Sequence, residues 1–371
     1  MEQGRGIDKT KNKSITVSAN LPAKKKVLII GPCPPPYGGV SVHILRLNNL
    51  LQKEFDFDFI DESPVKKNEY FNIRSLKISV YLKKVYNADI LYIHSGSMIL
   101  RVLHIVIGKI FSRRIILALH GFTSAPPKFI FYIKGLIYRL ANSIIVVNDN
   151  IKKRLYLPEK KCITKEAFIP PVLKEEPQLP ENILEFLFKN KHDGNVVICA
   201  NAFRLETYRN QDLYGLDMCI EAAHRLLKKK LSFVFIFIVS SIDDKTDVYF
   251  KMEKLIKELN LCNRFLLRNE KLSFVKLMEQ SDIIVRPTNT DGDSLTIREG
   301  LFLNKKVLAS DVVERPEGVV LFENRNINDL EMKLEDLIAN KDKFNNTSFD
   351  GGADNPTENL KKNYFDLINN L

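Results

Sequence analysis

The sequence predicts an α/β protein made of two doubly wound, Rossmann-like parallel-sheet domains facing each other across a cleft. Three observations carry the prediction. From residue 26 onward, short apolar runs alternate with helix-length amphipathic segments, the pattern of a parallel sheet covered on both faces. The alternation breaks once, at AFIPPVLKEEPQLPEN (167–182), where four prolines in a polar stretch read as an interdomain linker. And 371 residues are long for one core but natural for two.

In the first half, strands read as KVLII (26–30), FDFDFI (55–60), DILYIH (89–94), RIILALH (114–120) and SIIVV (143–147), with helices at 41–53, 72–87, 98–112, 127–141 and 149–156. In the second half, strands read as NVVICA (195–200), SFVFIFIV (232–239), NRFLL (263–267), DIIV (282–285), KVLAS (306–310) and GVVLF (318–322). Helices fall at about 215–230, 247–260, 272–280, 294–303 and 327–340. A polar gap at 340–359 precedes a last helix at 360–370. The expected division is a mobile leader (1–25), a first domain (26–175), a second domain (176–355) and a C-terminal segment (356–371) that packs back on the first domain. In such sheets ligands bind beyond the carboxyl ends of the strands.

Composition narrows the function classes. Apolar content of 45% and charged content of 27% mark a globular chain. The five cysteines have no CxxC spacing, which argues against a zinc site and a disulfide framework and fits a reducing, cytoplasmic setting. No apolar run is long enough to cross a bilayer, and the first 26 residues lack the apolar region of a secretory signal. The charge is uneven. Residues 1–180 hold 29 Lys+Arg against 14 Asp+Glu, or +15, and residues 181–371 hold 27 against 31, or −4. A basic first half suggests a polyanionic partner for that half alone.

Two stretches carry chemistry. GPCPPPYGGV (31–40) joins the first strand to the first helix. Gly38 and Gly39 open that helix, where a ligand can approach the backbone closely and free N–H groups favour an anion. The loop lacks both GxGxxG and GK[ST], so a dinucleotide site or a P-loop is not expected; it also reads simply as a stiff turn. The second stretch, RPTNTDGDSLTIREGLFLNKKVLASD (286–311), follows a strand with an acidic loop and starts a helix near Ser294. Glu299 on that helix could accept hydroxyls of a ribose, and the N–H groups around Ser294 and Leu295 could meet a diphosphate. The alternative is that Asp291 and Asp293 cap the helix and Glu299 is solvated.

Together the two stretches resemble the family-4 (group 1) glycosyltransferases of the GT-B fold, which carry a Glu-x7-Glu motif; here it reads Asp291-x7-Glu299. KKVLASDVVERPEGVVLF (305–322) is similar to the strand, turn and strand after that motif, and the resemblance runs from about residue 26 to 340. It implies that Gly38 and Gly39 contact the donor diphosphate or the cleft floor, that Glu299 binds the ribose of a sugar nucleotide, and that Asp291 lies near hydroxyls of the transferred sugar. It implies that His120, in LALHGF, contacts the donor sugar; His94, in YIHSGS, holds a similar strand end. The family's phosphate-binding Arg falls on Arg204, whereas its Lys falls on Tyr214, a departure that Arg209 or Arg286 could compensate.

The implied activity is retaining transfer from a nucleoside-diphosphate sugar to a glycan or lipid-linked glycan, with no metal and no other cofactor. It fits surface polysaccharide synthesis. A sugar-nucleotide epimerase or hydrolase on the same scaffold, or a binding subunit without activity, are the other readings. Two apolar helical stretches with scattered cations, 97–111 and 127–142, read either as an interfacial face on the inner side of the plasma membrane or as ordinary packed helices. Nucleic acid is not expected, since no recognisable module or aromatic-basic strip is present.

Overall fold

The computed structural model describes residues 24–371 apart from 36, 121–127, 148, 166–167, 243–244 and 341–355. The expected leader, but for residues 24 and 25, lies outside the described residues, as do the loop after His120 and most of the polar gap.

Two parallel sheets organise the chain. The first has the order β3-β2-β1-β4-β5-β6-β7. Its strands are β1 (Lys26–Gly31), β2 (Asp56–Asp61), β3 (Phe71–Asn72), β4 (Ile90–Ile93), β5 (Arg114–Leu119), β6 (Ser143–Val146) and β7 (Cys162–Thr164). Helices α1 (Gly39–Leu51), α2 (Ile78–Asn87), α3 (Met98–Ile110), α4 (Lys128–Tyr138) and α5 (Asp149–Arg154) connect them. The second sheet has the order β12-β11-β8-β13-β14-β15. Its strands are β8 (Val196–Arg204), β11 (Phe233–Ser241), β12 (Phe265–Asn269), β13 (Ile283–Arg286), β14 (Lys306–Ser310) and β15 (Val319–Phe322). A small hairpin, β9 (Thr207–Tyr208) and β10 (Gln211–Asp212), follows β8. Helices α6 (Glu181–His192), α7 (Leu216–Lys228), α8 (Thr246–Glu258), α9 (Phe274–Gln280), α10 (Leu295–Phe302) and α11 (Ile327–Ala339) complete this half.

The central strands are apolar runs because both faces are covered: Val27 to Ile30 and Phe233 to Val239 are all buried. Each sheet therefore feeds two clusters, one per face. The last helix, α12 (Pro356–Asn369), packs on the first sheet, where Tyr364 and Ile368 join a cluster with Val27, Ile44 and Tyr92. Lys361 pairs with Glu54, and Lys25 donates to the Asn369 carbonyl.

The differences from the sequence reading have local causes. β3 and β7 are two- and three-residue edge strands, too short for an apolar pattern. Helix α2 starts at Ile78, because Phe71 and Asn72 pair with β2 and a 3-10 turn follows. Helix α6 begins inside the predicted linker, right after Pro180, and buries Ile183 and Leu187 at helical spacing.

Both sheets change winding direction once. In the first the chain runs outward through β2 and β3, then returns to β4 on the other side of β1. In the second it runs through β11 and β12, then returns to β13 on the other side of β8. Those two reversals are the points where open α/β sheets leave a crevice.

Candidate active site

At the first reversal the loop after β1 is anchored by a buried acid. Asp61 accepts from the Cys33 amide at 2.9 Å, from the Ser63 hydroxyl at 2.7 Å and from Lys67 at 2.9 Å. Burial pushes the Cys33 thiol up to about 12, so it is not a nucleophile. Gly38 is the N-cap of α1 with an ordinary φ of −101°, and its amide donates to Ser41 Oγ at 2.8 Å. A Cβ on Gly39 would meet nothing within 4 Å. The chain itself thus does not require a glycine at 39, and the space in front of it is open.

His94 lies just past β4 and His120 just past β5. They share a 2.9 Å hydrogen bond between Nδ1 of the first and Nε2 of the second. His43 of α1 sets its ring tilted at 5.3 Å from His94 and edge-on at 5.2 Å from His120, centre to centre. Burial drives His94 well below the ordinary histidine range, and burial with the charges of His43 and Arg101 brings His120 down to about 3. This floor is neutral. Among the described residues these three imidazoles form a group that could hold a metal, with their nitrogens within 4.8 Å of one another. A zinc-like ion at roughly 2.0–2.1 Å from each nitrogen would have to replace the His94–His120 bond, next to the cationic Arg101.

The second reversal is charged. Asp291, in the loop after β13, accepts from Arg286 at 3.2 Å, from Arg315 at 3.1 Å and from Thr288 at 3.1 Å. Burial would raise the Asp291 carboxyl, but the two guanidinium groups outweigh it and hold it below the ordinary range. Arg315, in the turn between β14 and β15, has a side chain only 2% exposed, and its Nη2 meets no protein partner. Sequence reasoning missed it: a lone Arg in VVERPEG gives no periodic signal. Arg286 also lies 5.2 Å over the Tyr214 ring, so a cation does stand beside the position where the resembled family has its Lys. Arg204 is half-exposed and pairs with Glu206, and both charges act on Tyr214.

Gly215 explains how this corner closes. It starts α7 with φ +68°, and a Cβ there would lie 2.5 Å from the Pro287 carbonyl oxygen. Only glycine lets α7 approach the loop so closely. The Asp212 carboxylate takes the amides of Tyr214 and Gly215 at 2.8 and 3.0 Å, and Asn289 donates to the Tyr208 carbonyl. The β9–β10 hairpin is thereby laced to the Asp291 loop.

Ser294 caps α10 without bonding it, and Leu295 is the first helical residue. Neither Asp291 nor Asp293 caps this helix; Asp293 pairs with Arg298 at 2.7 Å. The buried hydroxyl of Ser294 has no protein partner, nor has Oδ1 of Asn289. Such unmatched buried groups call for a polar ligand or water. Glu299 is not solvated: it is 5% exposed and bonds Arg46 of α1 at 2.5 Å, across the cleft between the sheets. Burial pushes its carboxyl up to about 7, against the pull of Arg46. Arg46 also gave no sequence signal, since in HILRLNN it reads as a solvated helix position.

The structure thus groups the expected residues in two sets. His120 and His94 sit together at the first reversal; Arg204, Arg286, Asp291, Ser294, Leu295 and Glu299 sit around the second. No protein-family model matches the chain. A curated relative, the poly(ribitol-phosphate) alpha-N-acetylglucosaminyltransferase of Staphylococcus aureus, is 28% identical over 133 residues, which is 34% of this chain and 26% of that protein. The match therefore spans about a quarter of the relative's length. Solved structures match over far more. HepE of Anabaena in complex with UDP superposes with a TM-score of 0.68 at 13% identity, over 93% of this chain and 100% of that one. The trehalose-6-phosphate synthase OtsA gives 0.63 at 12% identity, over 94% and 99%. A glycosyltransferase of Rickettsia africae gives 0.63 at 18% identity, over 85% and 89%. The chain has the GT-B fold. The two sheets correspond to its two Rossmann-like domains, and the two reversals face the cleft that this fold places between them.

Proposed function

We propose that the protein is a glycosyltransferase that takes a sugar from a nucleoside diphosphate and delivers it to a glycan or lipid-linked glycan. The observation that carries this reading is Glu299: a buried carboxylate on a helix that starts at the second reversal, bonded to the Arg46 guanidinium of the first domain. Solved neighbours of this fold hold UDP, UDP-glucose or UDP-2-fluoro glucose. In this reading Glu299 accepts the ribose hydroxyls. The start of α10, at Ser294 and Leu295, meets the diphosphate together with Arg204 and Arg286. Asp291, held ionised by two arginines, accepts from the transferred sugar, and neutral His120 contacts that sugar from the other domain. Gly38 and Gly39 leave room for the sugar–diphosphate region.

The chemical problem is charge separation. As the sugar–oxygen bond breaks, negative charge grows on the diphosphate and positive charge on the sugar. Preorganised cations and a helix start oppose the first without reorganising. Retention of configuration, without a metal or other cofactor, is what the resemblance to the family-4 enzymes implies, and it is kept as part of this reading. An assay that follows both donor and acceptor tests it. Glu299→Ala should lower transfer by about 100-fold or more, since two charge-assisted bonds of roughly 1.5–3 kcal/mol each are lost. Donor conversion without any acceptor would favour an epimerase or hydrolase, and wild-type turnover in Glu299→Ala would remove the assignment.

The acceptor side is read as a membrane surface. Helix α3 exposes Ile99, Leu103, Val106 and Ile110, and α4 with the turn after it exposes Tyr132, Leu136 and Leu140. Residues 98–161 hold 12 Lys+Arg against 2 Asp+Glu. Arg101 itself turns inward, to the carbonyls of Ser95 and Gly96. A basic excess in the same segment as exposed apolar side chains is what an anionic lipid interface would take. No helix of the described residues is long and apolar enough to cross a membrane, so the reading is peripheral attachment.

A further inference from the structure

We propose that Arg46 is the positioning residue for Glu299: from the first domain it holds in place the carboxylate that receives the nucleoside in the second, so donor affinity depends on how the two domains are seated. The inference rests on the donor reading of Glu299 given above. Three contacts support it. Arg46 Nη2 donates to Glu299 Oε1 at 2.5 Å, its Nη1 donates to the Ile169 carbonyl in the interdomain segment at 3.0 Å, and Glu176 of that segment lies 3.8 Å from the same guanidinium. One side chain thus ties α1, the segment between the sheets and α10. The bridge is buried, with the two side chains 10% and 6% exposed.

The charged groups acting on Glu299 are Arg46 from α1 and Glu176 from the segment between the sheets. Its neighbour on α10, Arg298, is bonded to Asp293. Burial disfavours the ionised form of Glu299, and Arg46 is the opposing influence. A carboxylate has two oxygens and about four lone-pair sites, so the arginine and a ribose hydroxyl can share it. Removing Arg46 takes away the influence that opposes burial and shifts the carboxyl further toward its protonated form, which has lost much of its capacity as an acceptor.

The test is calorimetry of nucleoside diphosphates, UDP first and then GDP, dTDP, CDP and ADP, from pH 6 to 9. The proteins compared are the full chain and its Arg46→Met, Arg46→Lys and Glu299→Gln variants, each checked for folding by circular dichroism. The expected result is about tenfold weaker binding to Arg46→Met at pH 7, recovering as pH rises, with the midpoint displaced upward by about one unit or more. Arg46→Lys should be displaced less, and Glu299→Gln should be weak with no dependence on this group. If Glu299→Gln is weakened but Arg46→Met binds with the wild-type affinity and midpoint, the proposal fails and the donor reading stands. Equal weakening of Arg46→Met at every pH also overturns it, as that is a structural role. If Glu299→Gln binds as wild type, or no nucleoside diphosphate binds the wild type, the donor reading and the proposal fall together.

Discussion

The two sheet reversals are topologically alike and chemically opposite. Each lies where the chain turns back beside the first strand of its domain, and each gathers loop residues beyond the strand ends. In the first domain the gathered groups are imidazoles stripped of charge by burial. In the second they are Arg286, Arg315, Asp291 and, one helix turn on, Glu299. The same architecture presents a neutral floor on one side of the cleft and a compensated charge cluster on the other. Fold alone sets where a ligand sits; the side chains at the two ends decide which half of it each domain takes. A neutral floor suits a sugar, and a guanidinium-rich one suits a diphosphate.

The contrast can be broken most severely at Arg315. Its loss leaves the buried Asp291 with one guanidinium in place of two. Arg315→Leu should cost about 3 kcal/mol, read as a fall of roughly 6–12 °C in thermal melting for a domain of this size. A wild-type melting temperature would mean that Arg286 alone suffices. Gly215→Ala comes next. Its Cβ would press on the Pro287 carbonyl in a left-handed backbone, which should cost roughly 1–3 kcal/mol and loosen the hairpin at 207–212. Hydrogen exchange should show faster opening of that hairpin and of the Asp291 loop, and leave the amides around His94 unaffected.

The pH dependence separates the two ends. His94 and His120 are neutral in the fold, whereas the unfolded chain takes up protons near the ordinary value of 6.5. The unfolded state therefore binds more protons below that pH. The stability tied to these groups is full above about 6.5 and is lost as pH falls toward about 3. Asp291 is shifted downward from 3.8, so its contribution is kept until more acid conditions. Stability should thus decline from pH 6.5 downward, by at most ~1.4 kcal/mol per pH unit per histidine, and melting temperature with it. His120→Asn should flatten that decline, and an unchanged profile would show that the imidazoles are not held neutral. The smallest effect is on the outer face of the first domain. Leu103→Glu with Leu136→Glu should weaken binding to anionic vesicles severalfold while leaving nucleotide affinity and melting nearly unchanged. Equal vesicle binding by both proteins would remove the lipid reading.

The sequence made the central strands legible because burial on both faces turns them into apolar runs, such as VLII at 27–30 and FVFIFIV at 233–239. It also made the acidic loop and the helix of Glu299 legible, since a strand, a loop with glycine and aspartates, and an amphipathic segment follow in order. What stayed hidden depends on tertiary partners. Arg46 and Arg315 are ordinary surface-looking residues until the fold brings each to a buried carboxylate. His43 looks like any residue of an amphipathic helix until it meets the two strand-end histidines. Helix α6 was masked by Pro180, which sits where a proline is tolerated and where a linker also ends. The Tyr214 departure was visible in the sequence, as were two candidate cations, Arg209 and Arg286; the geometry puts Arg286 over the Tyr214 ring and Arg209 over that of Tyr208.

The central claim is that a nucleoside diphosphate binds at the second reversal through Glu299. Thermal melting of the purified chain with UDP, GDP, dTDP, CDP and ADP tests it most directly, run beside Glu299→Ala and His120→Asn. A ligand at 100 times its dissociation constant adds about 2.7 kcal/mol to the folded state, which is readable as a shift of several degrees. The account predicts a rise with one of the five that disappears in Glu299→Ala and persists in His120→Asn. No rise with any of them, or a rise that Glu299→Ala leaves intact, would contradict it.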